Sequence, residues 1–182
     1  MTIEKTVIKD LVIINPSVFE DSRGYFFEAY NKSKFQESGI DYQFIQDNQS
    51  FSKRGVIRGL HLQINPFAQA KLVRVLEGEI LDVAVDLRKN SPTYGQHFSV
   101  ILSAENKKQL MVPHGFAHGF SVLSETASVM YKVDQLYHKE SERGIRYDDP
   151  TLAIDWQVNS DAVIVSEKDI ILSGFNEIDW EF

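Results

Sequence analysis

The sequence predicts an all-β domain, a sandwich or jelly roll, on three observations. Strand-like apolar runs recur roughly every ten residues, most close on a turn signal, and only two short stretches invite a helix. The elements follow in order. An early apolar run at 11–14 is too short to cross a bilayer. Residues 26–30 follow the turn Arg23-Gly24 as a strand, and 32–37 invites a short helix. In the stretch 55–68, Val, Ile and Leu crowd a segment bracketed by Gly55 and Pro66, a further strand. The next, 71–76, closes at Glu77-Gly78. Residues 80–87 alternate cleanly, with Leu81, Val83, Val85 and Leu87 facing one way and Asp82, Ala84 and Asp86 the other. Ser91-Pro92-Thr93-Tyr94-Gly95 is a loop, after which 97–102 resumes the β pattern. Strands are further expected at 109–112, 117–123 and 128–136, and a short helix near 160–169.

Composition bounds the rest. The 182 residues fit one domain with a sizeable core, no Pro/Gly/Ser-rich linker divides them, and no segment repeats. Hydrophobic content of 43% excludes extensive disorder. A net charge of -7 argues against a nucleic-acid surface, but local cations can still hold a phosphate. Cysteine is absent, so neither disulfides nor thiolate chemistry are available. The opening Met1-Thr2-Ile3-Glu4-Lys5 lacks a signal peptide's pattern, and a soluble cytoplasmic protein with no membrane contact is expected.

Chemistry concentrates in two adjoining strands. Arg58 and His61 lie three residues apart in an apolar run, and Gln69, Lys71 and Arg74 follow in the next. A strand interior gains nothing from a cation and an imidazole unless something is bound there. The pattern points to a cavity for an anionic ligand; the alternative is a solvated sheet face.

Pro113-His114-Gly115-Phe116-Ala117-His118-Gly119-Phe120 looks like the second half-motif of cupins, a Pro-x-Gly-x-x-His core. Joined to Arg58-Gly59-Leu60-His61, Lys71-Leu72-Val73-Arg74-Val75, Asp82-Val83-Ala84-Val85-Asp86-Leu87-Arg88 and Tyr131-Lys132, it closely resembles the dTDP-4-dehydrorhamnose 3,5-epimerase family. The resemblance runs from Asp21-Ser22-Arg23-Gly24 through Gln46-Asp47-Asn48 to Ser166-Glu167-Lys168-Asp169, nearly the whole chain in order. It implies a cupin-type jelly-roll barrel with short peripheral helices, formed by residues 1–182 as one epimerase domain. It also implies a homodimer whose N-terminal segment crosses to the partner, and a segment from about residue 160 packing over the barrel. Metal-binding cupins carry His-x-His where this chain has His61-Leu62-Gln63, and His97, His114 and His138 are not at ligand spacing to His61. The pocket is therefore read as free of metal and cofactor.

Epimerisation beside a ketone needs a base for the α proton, a group to hold the enolate oxygen, and an acid on the other face. The resemblance assigns His61 as base, Asp169 as the carboxylate that orients it, Lys71 as the enolate stabiliser and Tyr131 as acid. His61, Lys71 and Tyr131 each have a plainer alternative: a backbone-bonded core histidine, a lysine snorkelling to water, a packed tyrosine. Arg23, Arg58 and Lys168 suit a diphosphate, arginine by its planar fork. Glu28, Gln46, Asp47 and Asn48 match positions for base and sugar contacts, and His118 and Glu142 further substrate contacts. Tyr137 is placed to stack on the pyrimidine, and Asp47 is expected to support its neighbours by local backbone bonds.

The implied reaction is conversion of dTDP-4-dehydro-6-deoxy-D-glucose to dTDP-4-dehydro-L-rhamnose. Three alternatives stay open: a single-site epimerase or ketoisomerase on a related 4-keto sugar nucleotide, a non-catalytic binding jelly roll, and a metal-dependent oxygenase, which Gln63 disfavours.

Overall fold

Runs of β-branched and aromatic residues gain most where a pleated strand can bury one face or both, and here they pair almost wholly antiparallel. The computed structural model describes residues 1–178. Its strands are β1 (Thr2–Lys5), β2 (Val12–Asn15), β3 (Phe19–Asp21), β4 (Gly24–Phe26), β5 (Gln46–Lys53), β6 (Ile57–Gln63), β7 (Lys71–Glu77), β8 (Glu79–Asp86), β9 (His97–Ser103), β10 (Gln109–Val112), β11 (Phe116–Val122), β12 (Thr126–Val133) and β13 (Glu142–Gly144), with helices α1 (Lys32–Glu37) and α2 (Glu167–Ile170). The first sheet runs β1-β2-β10-β7-β12-β5, the second β13-β6-β11-β8-β9, and β3 pairs with β4 as a separate hairpin. Two facing antiparallel sheets with these crossovers form a jelly roll.

The core between the sheets joins Ile13, Val73, Val75, Leu110 and Val129 to Ile80, Ala84, Phe116, Phe120 and Val122. Apart from Ala84, each such side chain, fully buried, contributes about 1.5–3 kcal/mol. The alternation read in β8 holds, yet both faces are buried. Ala84 joins the core between the sheets, whereas Leu81, Val83, Val85 and Leu87 pack under Ile145, Leu152, Trp156 and Phe175. Asp82 and Asp86 are fully buried, not solvated. A third cluster, with Phe35 of α1, Ile40, Leu72 and Met111, covers part of the first sheet's outer face.

Two expectations are corrected. Residues 27–30 are not a strand: β4 ends at Phe26, Phe27 lies 5.2 Å from the Arg74 guanidinium, and Tyr30 packs edge-on against Phe35 and Phe44. Side-chain packing holds this segment where strand pairing was expected. The stretch 160–169 is helical only in part. A 3₁₀ turn at Ser160–Ala162 and α2 are separated by extended residues, among which Ile164 forms a parallel bridge with Val56.

Candidate active site

Strand β6 lies beside β11 closely enough that a Cβ on Gly59 would sit 2.6 Å from Gly119 Cα, and one on Gly119 2.6 Å from Arg58 O. Two glycines are therefore needed at this crossing, where the register slips between His118 and Phe120 and sets His61 opposite His118. On the facing sheet β7 carries Lys71 and β12 carries Tyr131, with Lys71 opposite Val133. A cavity of about 510 Å³ opens between these walls, lined by Arg58, His61 and His118 on one side and Lys71, Tyr131 and Ser50 on the other. Ser166, Lys168 and Asp169 of the C-terminal segment close over it.

Each imidazole holds a carboxylate. His61 Nε2 lies 2.7 Å from Asp169 Oδ1, and His118 Nε2 lies 2.8 Å from Asp82 Oδ1. Asp169 is fixed by α2: the Ser166 hydroxyl caps the helix by accepting from Asp169 N at 3.1 Å, and Gly59 N donates to Asp169 Oδ2 at 3.4 Å. Burial pushes the Asp169 carboxyl up, but the His61 hydrogen bond and charge, with the Gly59 and Ser166 contacts, outweigh it and hold it below the usual carboxylate range. Such a carboxylate stays ionised and orients the imidazole that it faces. Asp82 is fully buried, and its Oδ2 has no hydrogen-bond partner among the described residues.

Lys71 is 8% exposed and donates from Nζ to His61 O at 3.2 Å. Burial pulls its ammonium down to about 8, against the raising influence of Asp82 and Glu142. The Tyr131 phenol is pushed up by burial, opposed by the Arg58 charge. It is therefore protonated at neutral pH and able to give a proton. Arg58 donates from Nε to Ser52 Oγ at 2.9 Å and from Nη2 to Phe51 O at 3.3 Å, which tethers its guanidinium at the cavity wall.

Tyr137, Glu142 and Lys168 form one cluster beside the mouth. The Tyr137 hydroxyl and the Lys168 ammonium both donate to Glu142 Oε2, at 2.8 and 2.6 Å. Burial raises the Glu142 carboxyl, but its bonds to Lys168 and Tyr137 more than offset this and leave it below its ordinary value. The same bond holds the Tyr137 phenol and the Lys168 ammonium above theirs.

Gln46 and Asn48 share the half-buried face of β5 with the cavity residue Ser50, and Gln46 Nε2 donates to Asn48 Oδ1 at 2.7 Å. Asp47 alternates outward. The local backbone bonds expected of it do not form; it pairs instead with Lys132 at 2.8 Å, its cross-strand neighbour. Arg74 also departs from the reading of a cation in the cavity, because β7 alternates Lys71 inward and Arg74 onto the outer face. Arg23 and Glu28 do not line this chain's cavity. Arg23 is tied to Asp21 on the exposed β3–β4 hairpin, and Glu28 to Lys34 and Asn31. Among the described residues no three His, Asp or Glu side chains converge as a metal site requires. Nor is any helix there long and apolar enough to cross a membrane.

Sequence reasoning missed Asp82 as the partner of His118, and Ser166 and Ser52 as the groups that hold Asp169 and Arg58. The Ser166-x-x-Asp169 spacing is a capping pattern and carried that signal.

The sequence model of the dTDP-4-dehydrorhamnose 3,5-epimerase family matches residues 5–177. A relative of that name from Shigella flexneri is 49% identical over 181 residues, covering 99% of each chain. The crystal structure of the enzyme from Elizabethkingia anophelis superposes with a TM-score of 0.95 at 54% identity, over 99% of both chains. That of a dTDP-6-deoxy-D-glucose-3,5-epimerase from Legionella pneumophila, in complex with dTDP-4-keto-L-rhamnose, superposes at 0.93 with 50% identity, over 98% of this chain and 94% of the other. The matched span takes in every residue of the His61–Asp169 cavity, and the chain belongs to the dTDP-4-dehydrorhamnose 3,5-epimerase family.

Proposed function

We propose that this cavity epimerises C3 and C5 of dTDP-4-dehydro-6-deoxy-D-glucose, giving dTDP-4-dehydro-L-rhamnose for dTDP-L-rhamnose biosynthesis. The observation that carries the reading is that an imidazole with its carboxylate and a protonated phenol line opposite walls of one cavity, with a buried ammonium beside them. His61 takes the proton from a carbon next to the ketone, and the C–H electron pair moves onto the C4 oxygen. Lys71 holds the developing enolate, where a buried positive charge acts most strongly. Tyr131 then protonates the same carbon from the other face as the enolate collapses, and exchange with solvent restores both groups. The second carbon flanks the same ketone and repeats the sequence. None of these steps calls for a metal or cofactor.

Arg58 and Lys168 suit the diphosphate, Gln46 and Asn48 the base and sugar, and His118 the sugar ring. Glu142 and Tyr137 complete the rim. Arg23 and Glu28 act from a second copy in a homodimer. What supports this is the hairpin that carries Arg23: Phe19, Tyr25 and Phe26 are all more than half exposed, an aromatic surface that a partner would cover.

Proton NMR of the 4-keto sugar nucleotide in heavy water tests the reading. Deuterium entering at C3 and C5 with formation of the L-sugar is expected. Entry at one carbon only would reduce the reaction to a single epimerisation, and no entry would leave a binding protein.

A further inference from the structure

The strand that brings His61 to the cavity ends two residues later at Gln63, which is 4% exposed. Both halves of its amide are used. Nε2 donates to Phe67 O at 2.6 Å and to Leu136 O at 3.1 Å, and Oε1 accepts from His138 N at 2.7 Å. Leu136 O and His138 N flank Tyr137, so one side chain does for this peptide what a neighbouring strand does for a ladder residue. β12 has already ended at Val133, and among the described residues no strand pairs with residues 134–138. The bond to Phe67 O holds the loop whose Phe67 ring stacks on His138 at 3.7 Å and 9°. Only a primary amide offers donors and an acceptor in this arrangement; a carboxylate or thioether of similar length cannot donate.

From this geometry we infer that Gln63 is a positioning residue for substrate recognition: it fixes Tyr137, and through the Tyr137–Glu142 bond sets the rim that holds Lys168. The inference rests on the reading of Tyr137, Glu142 and Lys168 as substrate contacts. It separates two tasks on one strand. His61 and Asp169 make no bond to Gln63, so the proton-transfer machinery stays in place when the rim loosens.

Steady-state kinetics of Gln63→Met, Tyr137→Ala and the double variant, with dTDP-4-dehydro-6-deoxy-D-glucose as substrate, tests this. Gln63→Met is expected to raise KM on the order of ten-fold with kcat within about two-fold, since the displaced group binds and does not react. In the Tyr137→Ala background the same change adds less than about two-fold to KM, because the residue through which Gln63 acts is gone. A fall in kcat at constant KM, or full additivity of the two changes, overturns the inference. If Tyr137→Ala alone leaves KM unchanged, the reading of the rim as a substrate contact fails, and the inference with it. If Tyr137→Ala raises KM and Gln63→Met does not, only the inference fails. Gln63→Asn keeps the amide one methylene short of residues 136 and 138, and carries the same test if the methionine variant does not fold. Loss of folding in both marks Gln63 as purely structural and overturns the inference.

Discussion

Replacing Lys71 by methionine separates what the buried ammonium does for stability from what it does for chemistry. Burial lowers the group from 10.5 to about 8 in the fold, a penalty of roughly 3 kcal/mol on the charged form. The sign follows from proton counting. Between pH 8 and 10.5 the unfolded chain binds more protons at this lysine than the folded one, so the charge favours unfolding. That penalty is present in full below pH 8, shrinks as pH rises towards 10.5 and vanishes above it. Methionine has similar length and no charge, so at pH 7 the variant escapes the penalty. The lost bond to His61 O takes back about 1 kcal/mol, leaving a gain of roughly 2 kcal/mol. Urea unfolding of both proteins at pH 7 reads this as a midpoint about 1 M higher for the variant. At pH 10.5 the advantage disappears. Turnover moves the other way and falls on the order of a hundred- to a thousand-fold, the usual effect of removing one donor to a developing oxyanion. A variant less stable than the parent at pH 7, or a difference that does not change with pH, would refute the buried-charge argument.

His61→Ala should lose solvent exchange and product together, by on the order of a hundred- to ten-thousand-fold, while calorimetry still detects dTDP binding; exchange at the parent rate would put the base elsewhere. For Glu142→Gln, the charge that helps keep Lys71 protonated is removed, so Lys71 drops below about 8 and the alkaline fall in kcat/KM starts at lower pH. An unshifted pH profile would show that Glu142 does not act on Lys71. Sedimentation at assay concentration should find a dimer, with Arg23→Ala weakening substrate binding; a fully active monomer would mean that Arg23 and Glu28 play no part in the site.

The strands that bury apolar faces were legible in the sequence, with β7, β8, β9, β10 and β11 expected within a residue or two of where they lie. β5 was not. Its inner face carries Gln46, Asn48, Ser50 and Ser52 because it borders a polar cavity, so the apolar alternation that announces a strand is missing. His61 and Lys71 drew notice because each is a polar group in an apolar run, whereas Tyr131 and Asp169 were reached only through the resemblance, since a tyrosine in an alternating strand reads equally well as packing. Asp82 could not be assigned, because alternation gives the face of a residue and not whether that face meets solvent or a barrel interior. The outward turn of Arg74 depends on which face of β7 meets the second sheet, which no local pattern specifies. The bonds of Gln63 to Leu136 and His138 join segments more than 70 residues apart and leave no local trace.

The central claim is that a base and an acid act from opposite faces of the sugar, and Tyr131→Phe tests it most directly. The change removes one oxygen and little volume, so binding and the His61, Asp169 and Lys71 groups are kept. His61 can still form the enolate and return a proton to the face it came from. In heavy water, the ratio of deuterium incorporated to configuration inverted is therefore expected to rise well above that of the parent enzyme. If exchange and inversion fall together, or neither falls, Tyr131 is not the acid and the two-face account is wrong.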